Sequence, residues 1–147
     1  DLAALVRQVA ADAADPALAK SINLGFEDDE STATVIGSEF LLREMLANLI
    51  DNAIKYTPPK GEIALRVLGS DPVRLEIDDS GCGIHVSERE RVFERFYRVI
   101  GVDAEGSGLG LAIVREVAEL HGGTVSIGDS PLGGARVRVS LPRGEAG

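Results

Sequence analysis

The chain has 147 residues, 44% hydrophobic and 27% charged, which suits one domain with a real core. A formal net charge of −9 makes duplex nucleic acid a poor partner. One cysteine and two histidines leave no basis for an internal disulfide and little for a zinc site. No apolar run reaches the roughly 20 residues of a membrane span, and the opening Asp-Leu-Ala-Ala-Leu-Val-Arg has no signal-peptide pattern.

In chain order, Leu2, Leu5, Val6, Val9 and Ala10 predict a helix over 2–14, stopped by Asp15-Pro16. Short strands are expected at 21–25 and 32–36, separated by an acidic loop from Glu27 to Glu30. Gly37-Ser38 opens a long helix to Tyr56, closed by Thr57-Pro58-Pro59. Residues 62–68 and 73–79 alternate as strands, the second with Val73, Leu75 and Ile77 inward and Arg74, Glu76 and Asp78 outward. A glycine run at 106–110 leads into a helical pattern that ends near His121. Strands at 124–127 and 135–141 then join through Pro131-Leu132-Gly133-Gly134. This order argues for an α+β two-layer sandwich, a mixed, mostly antiparallel sheet with helices on one face.

Three places are candidates for chemistry. Along the 38–56 helix, Asn48 and Asn52 lie about 40° apart at the edge of the arc made by Leu42, Met45, Leu46, Leu49 and Ala53. Such amides are either buried side chains tied to a neighbouring loop or, with Lys55 one turn on, a polar rail. Amide oxygens can ligate a hard cation such as Mg²⁺, and the Lys55 ammonium can neutralise phosphate. Period two puts Asp79 on the inward face, where it either begins the turn Asp79-Ser80-Gly81 or accepts from an exocyclic amine. Gly106-Ser107-Gly108-Leu109-Gly110 allows close backbone approach, and the helix start behind it favours an anion. It fits neither the dinucleotide fingerprint, since Leu111 stands where glycine is needed, nor a P-loop, since the chain has no Gly-Lys. Val92 to Arg98 holds three of the six aromatic residues. Phe93 reads as core, and Phe96, Tyr97 and Arg98 border a segment that can serve as a lid. His121, ending a helix before Gly122-Gly123, reads as a cation at a helix C-terminus, and Cys82 as a small filler.

Taken in order, these blocks resemble the ATP-binding catalytic domain of bacterial sensor histidine kinases, a superfamily shared with gyrase-type topoisomerases and Hsp90 chaperones. Asn48 to Pro58 is similar to the N box, Asp79 to Ile84 to the G1 box, Phe93 to Arg98 to the F box and Gly106 to Leu111 to the G2 box. The resemblance covers 38–142 by motif, and 1–37 fits the opening helix and strands of one 1–147 catalytic domain with the Bergerat ATP-binding fold. It implies ATP and Mg²⁺ as ligands. Asn52 would hold the metal with Asn48 in support, Lys55 would contact phosphate, and these three form the catalytic set. Tyr56 would lie along the adenine, Asp79 would accept from its amine, and Gly81 and Gly83 would line the base pocket. Gly106, Gly108 and Gly110 would offer amides to phosphates. Ile84, Phe96, Arg98, Ser107 and Leu109 complete the implied nucleotide contacts.

The implied reaction is transfer of the γ-phosphoryl group to a histidine on a helical dimerisation domain of the same kinase, with a response regulator downstream. The implied setting is a cytoplasmic domain, monomeric as a fragment and without membrane or nucleic-acid contact, whose parent is commonly anchored in the inner membrane. Neither His85-Val-Ser-Glu nor His121-Gly-Gly-Thr resembles the family's phosphoacceptor context. The segment between Arg98 and Gly106 is short for the family's lid. It carries Asp103 and Glu105 but no basic residue, which points to weak nucleotide affinity. The alternatives are a hydrolytic ATPase of the superfamily, a serine kinase of the anti-sigma type, and a module that senses nucleotide without transferring it. The ATPase would need a glutamate base where Asn48 stands, with Glu44 one turn earlier as its nearest substitute.

Overall fold

The computed structural model describes residues 1–28, 33–69, 72–81 and 110–144. Its elements are α1 (Leu2–Asp12), α2 (Ala14–Ala19), β1 (Asn23–Asp28), α3 (Glu39–Tyr56), β2 (Glu62–Leu68), β3 (Val73–Asp79), α4 (Gly110–Leu120), β4 (Thr124–Asp129) and β5 (Ala135–Leu141). Among the described residues the strands form one five-stranded sheet in the order β1-β2-β3-β5-β4. Only the β1–β2 pair is parallel, so the sheet is mixed and mostly antiparallel, as expected. The β2–β3 and β4–β5 pairs are antiparallel partners adjacent in sequence.

The helices cover one face. Ile63, Leu65 and Val67 of β2, Val73, Leu75 and Ile77 of β3, and Val137, Val139 and Leu141 of β5 share one core. Into it fit Val6 and Val9 of α1, Met45, Leu46 and Leu49 of α3, and Val114, Val117 and Ala118 of α4. Alternation along each strand thus sends one set of side chains into the core and the other to the opposite face.

Several boundaries differ from the sequence reading. Asp15-Pro16 does not end the helical region: α2 continues to Ala19 with Pro16 in its first turn, where the missing N–H has no intrahelical partner to lose. β1 runs from Asn23 through Asp28 and takes in Glu27 and Asp28, which had read as loop. Glu27 stands beside Arg66 in the parallel register, an opposite-charge neighbour that makes an acidic residue tolerable at a sheet edge. Residues 33–36 form no strand, and β4 extends two residues past Ile127. Glu76 and Asp78 do point away from the helices but are not solvent-facing, being only 3% and 4% exposed. Arginines from β2 and β5 lie over them.

Candidate functional site

Helix α3 starts where the sequence places it. Ser38 caps it, its hydroxyl accepting from the Leu41 N–H at 3.2 Å, and Thr57 ends it. Its buried arc runs through Leu42, Met45, Leu46, Leu49 and Ala53, and Asn48 and Asn52 are half-buried beside that arc. Asn48 spends its Nδ2 on the Glu44 carbonyl one turn back, at 2.8 Å, which leaves its oxygen as the uncommitted end. Among the described residues neither the Asn52 amide nor the exposed Lys55 ammonium has a partner. Two amide oxygens and an ammonium therefore stand along one flank.

Lys20 fixes the last turn of that helix. Its ammonium donates to the Ile54 carbonyl at 2.8 Å and the Lys55 carbonyl at 3.1 Å, serving two carbonyls that lack helical partners. Thr57 N–H donates to the Ala53 carbonyl. The Thr57 hydroxyl is fully buried and, among the described residues, has no hydrogen-bond partner.

Asp79 ends β3 on the helix side, 8% exposed. Its Oδ1 accepts from the Gly81 N–H at 2.9 Å and from the Ala135 N–H at 3.2 Å. Asp79 thus heads the Asp-Ser-Gly turn, the first of its two sequence readings, and does so as a buried carboxylate. Burial raises the affinity of this carboxyl for a proton, the Ala135 and Gly81 amides oppose that, and neighbouring Asp78 adds to it. Gly81 packs against the end of α3 so closely that a Cβ there would fall on the Tyr56 carbonyl oxygen. This contact brings Tyr56, Asp79 and Gly81 together.

The opposite ends of α3 and α4 are tied through His121. Its Nδ1 lies 2.8 Å from the Val117 carbonyl, and its Nε2 accepts the Ser38 N–H at 3.2 Å. The ring thus bridges the end of α4 to the start of α3, a contact that its helix-end position alone does not announce. Because α4 ends where α3 begins and the two pack together, they run in opposite senses. The 11 residues of α4 rise about 16 Å, which sets Gly110 roughly level with Asn48 to Asn52 on α3. Gly110 is the first residue of α4, as the glycine run predicts. Gly83, Ile84, Phe96, Arg98, Gly106, Ser107, Gly108 and Leu109 lie outside the described residues, as do Cys82, His85, Phe93, Tyr97, Asp103 and Glu105.

The sequence reading missed Lys20, Gly134 and Ala135, all of which hold site residues in place. Only the scarcity of lysine, present at 20, 55 and 60, marked the first of them.

The profile of the histidine kinase-, DNA gyrase B-, and HSP90-like ATPase family matches residues 37–145. This chain belongs to that family. Membership makes it an ATP-binding domain, and within the family it stands with the sensor histidine kinases. It is 37% identical over 146 residues to the sensor protein kinase PmrB of Pseudomonas aeruginosa, an alignment covering 97% of this chain and 30% of PmrB. The solved ATP binding domain of PrrB from Mycobacterium tuberculosis is 34% identical at a TM-score of 0.78, covering 99% of this chain and 96% of that one. Full-length ShkA in complex with AMPPNP is 33% identical at a TM-score of 0.85, covering 99% of this chain and 31% of ShkA. The chain spans under a third of the length of the curated relatives it matches, 30% of PmrB and 23% of CarS. Among the described residues no helix is long and apolar enough to cross a membrane.

Proposed function

We propose that this chain, as one domain over 1–147, binds Mg-ATP between the polar flank of α3, the Asp79–Gly81 turn and the start of α4. The γ-phosphoryl group then passes to a histidine on a separate helical dimerisation domain of the same kinase, and from there to a response regulator. The observation that carries the reading is Asp79, a buried carboxylate on the helix face with both its described hydrogen bonds on one oxygen. A buried charge held this way needs a purpose, and an amine donor on a planar base supplies one for the other oxygen. AMPPNP in the related ShkA structure and the names of the sensor-kinase relatives support the same reading.

The donor set fits a hard divalent cation. Mg²⁺ prefers oxygen ligands and keeps several waters, and Asn52 and Asn48 offer amide oxygens not tied up within the described residues. When bound, Mg²⁺ would be held by Asn52 with Asn48 in support and would supply neutralisation of phosphate charge. Lys55 adds a cation on the same flank. Asp79 selects and orients the base, and the lowest turn of α3, held by Lys20, keeps Asn52, Lys55 and Tyr56 in register with it. In the transfer the bond between the γ-phosphorus and the β–γ bridging oxygen breaks, an imidazole nitrogen forms the new P–N bond, and ADP leaves. The protein's share is positioning and charge neutralisation.

His121 is unsuited as the acceptor, because both its nitrogens are engaged within the fold. Hydrolysis is disfavoured because the Asn48 amide cannot act as a base, and Glu44 is exposed. Radiolabelled ATP tests the reading directly. The chain alone should release phosphate slowly and label neither itself nor water-borne products quickly. With the helical histidine domain of its parent supplied in trans, it should label that domain, and the label should be acid-labile and alkali-stable. Rapid phosphate release without transfer would overturn the assignment in favour of the hydrolytic ATPase.

A further inference from the structure

The β3–β5 ladder is regular from Val73↔Leu141 to Asp78↔Arg136 and then slips. The next amide to donate to β3 is that of Gly134 rather than Ala135, reaching the Asp79 carbonyl at 3.1 Å. The Ala135 N–H, released from the main-chain ladder, donates instead to the Asp79 side chain. Two segments 56 residues apart in sequence thus hold one aspartate by its carbonyl and its carboxylate together. Gly134 has no room for a side chain, since a Cβ there would meet Asp79 Oδ1, the Asp79 carbonyl oxygen and the Gly81 nitrogen. The turn before it is itself fixed. The Ser130 N–H donates to the Gly134 carbonyl at 2.9 Å, Gly133 N–H to the Ser130 carbonyl at 3.0 Å, and Leu132 N–H to the Ser130 hydroxyl at 3.0 Å. Gly133 takes a φ of +102°, which a residue with a Cβ adopts poorly.

We infer that Gly134 and Ala135 are positioning residues for base choice: the slipped strand start clamps Oδ1 and so aims the other oxygen of Asp79 at the ligand. The inference rests on the reading of Asp79 as the base-reading group and adds what sets its direction. A carboxylate that accepts two backbone N–H bonds on one oxygen cannot rotate without losing both. An acceptor fixed in this way favours a ring amine and rejects a ring carbonyl at the same place. A carboxylate free to turn would discriminate less, because specificity is a difference between two affinities.

The test compares ATP with inosine triphosphate, which carries a carbonyl where ATP carries the amine. Binding of each to the whole chain is measured by calorimetry at fixed Mg²⁺. Asp79→Asn should abolish the preference for ATP. Gly134→Ala, which drives a methyl onto Oδ1, should cut the preference about tenfold by weakening ATP, with inosine triphosphate binding little changed. If Asp79→Asn keeps the preference, the reading of Asp79 fails. If Asp79→Asn loses it and Gly134→Ala does not, or weakens both nucleotides equally, the positioning role fails while Asp79 stands. Should Gly134→Ala not fold, amide NMR on the parent chain decides. The Gly81 and Ala135 amide protons should follow one shared carboxyl titration that disappears in Asp79→Asn, and ATP should shift both more than inosine triphosphate does. An Ala135 amide that ignores the Asp79 titration overturns the inference.

Discussion

Because Asp79 is buried on the helix face of β3, its ionised form sits where the fold favours the protonated one. The sign follows from linkage. Its carboxyl is raised above the ordinary 3.8, so its contribution to stability is full below that value and is lost as pH rises through the folded-state value. At neutral pH the charge therefore subtracts from stability. Asp79→Asn should raise Tm at pH 7, and the gain should shrink as the pH falls toward 3.8, as followed by circular dichroism. The same change should weaken ATP binding about ten- to a hundredfold, the value of a hydrogen bond to a charged group at about 1.5–3 kcal/mol. A fall in Tm at pH 7 would show that the charge is not held for its ligand. Asn52 offers a parallel case. With no partner among the described residues, its amide has little to do for folding. Asn52→Ala should keep the far-ultraviolet spectrum and lose most of the Mg²⁺ dependence of ATP binding in a fluorescent-analogue titration. Unchanged Mg²⁺ dependence would remove Asn52 from the metal site.

At the scale of elements, α3 is a helix whose cap at Ser38 can be read from sequence and whose closing turn cannot. Local chemistry announces Ser38 and Thr57-Pro58-Pro59, but the ammonium on the last carbonyls comes from Lys20, 34 and 35 residues away. Lys20→Met should fray that turn. A cost of about 1 kcal/mol is expected for a partly exposed cap, together with weaker ATP binding because Asn52, Lys55 and Tyr56 ride on it. Urea unfolding and the same nucleotide titration would check both, and lost stability with intact affinity would separate the cap from the site. For the same reason the sequence reading was incomplete at His121. Its helix-end position suggests a cation, while the ring's actual role depends on Ser38, which only the antiparallel packing of α3 and α4 brings near. Pro16 misled it differently, since a proline that stops a helix and one that begins the next are alike in sequence. The strands β2, β3 and β5 were legible to the residue because alternation is a local signal.

For the whole molecule, the face of the sheet away from the helices carries an ion network that alternation alone presented as solvated charge. Arg138 and Arg136 of β5 stand directly across from Glu76 and Asp78 of β3. Arg138 Nε donates to Glu76 at 2.9 Å, and Arg136 grips Asp78 through Nε at 2.7 Å and a second nitrogen at 3.1 Å. Arg66 of β2 lies 3.7 Å from the same Glu76. The partners lie 58 and 62 residues apart, so no local pattern could pair them. Their effect is on register: a slip of two residues in one sense would set Arg74 opposite Arg138 and leave Asp78 with no arginine across from it. Glu76 is nearly buried while Arg66 and Arg138 are close to half-exposed, so removing the acid leaves cations that can still turn to water. The loss should then fall below the 3–5 kcal/mol typical of a broken buried pair, at about 1–3 kcal/mol. Glu76→Ala should accordingly lower Tm by several degrees, about 2–4 °C for each kcal/mol in a domain of this size. Because Glu76 faces away from the helices and Asp79 faces them, ATP affinity below the new melting range should not move. Parallel melting and nucleotide titration of Glu76→Ala would reveal this split. An affinity that drops with Tm would mean that the outer network reaches through β3 to the site, and a Tm that stays put would mean the arginines do not hold the register.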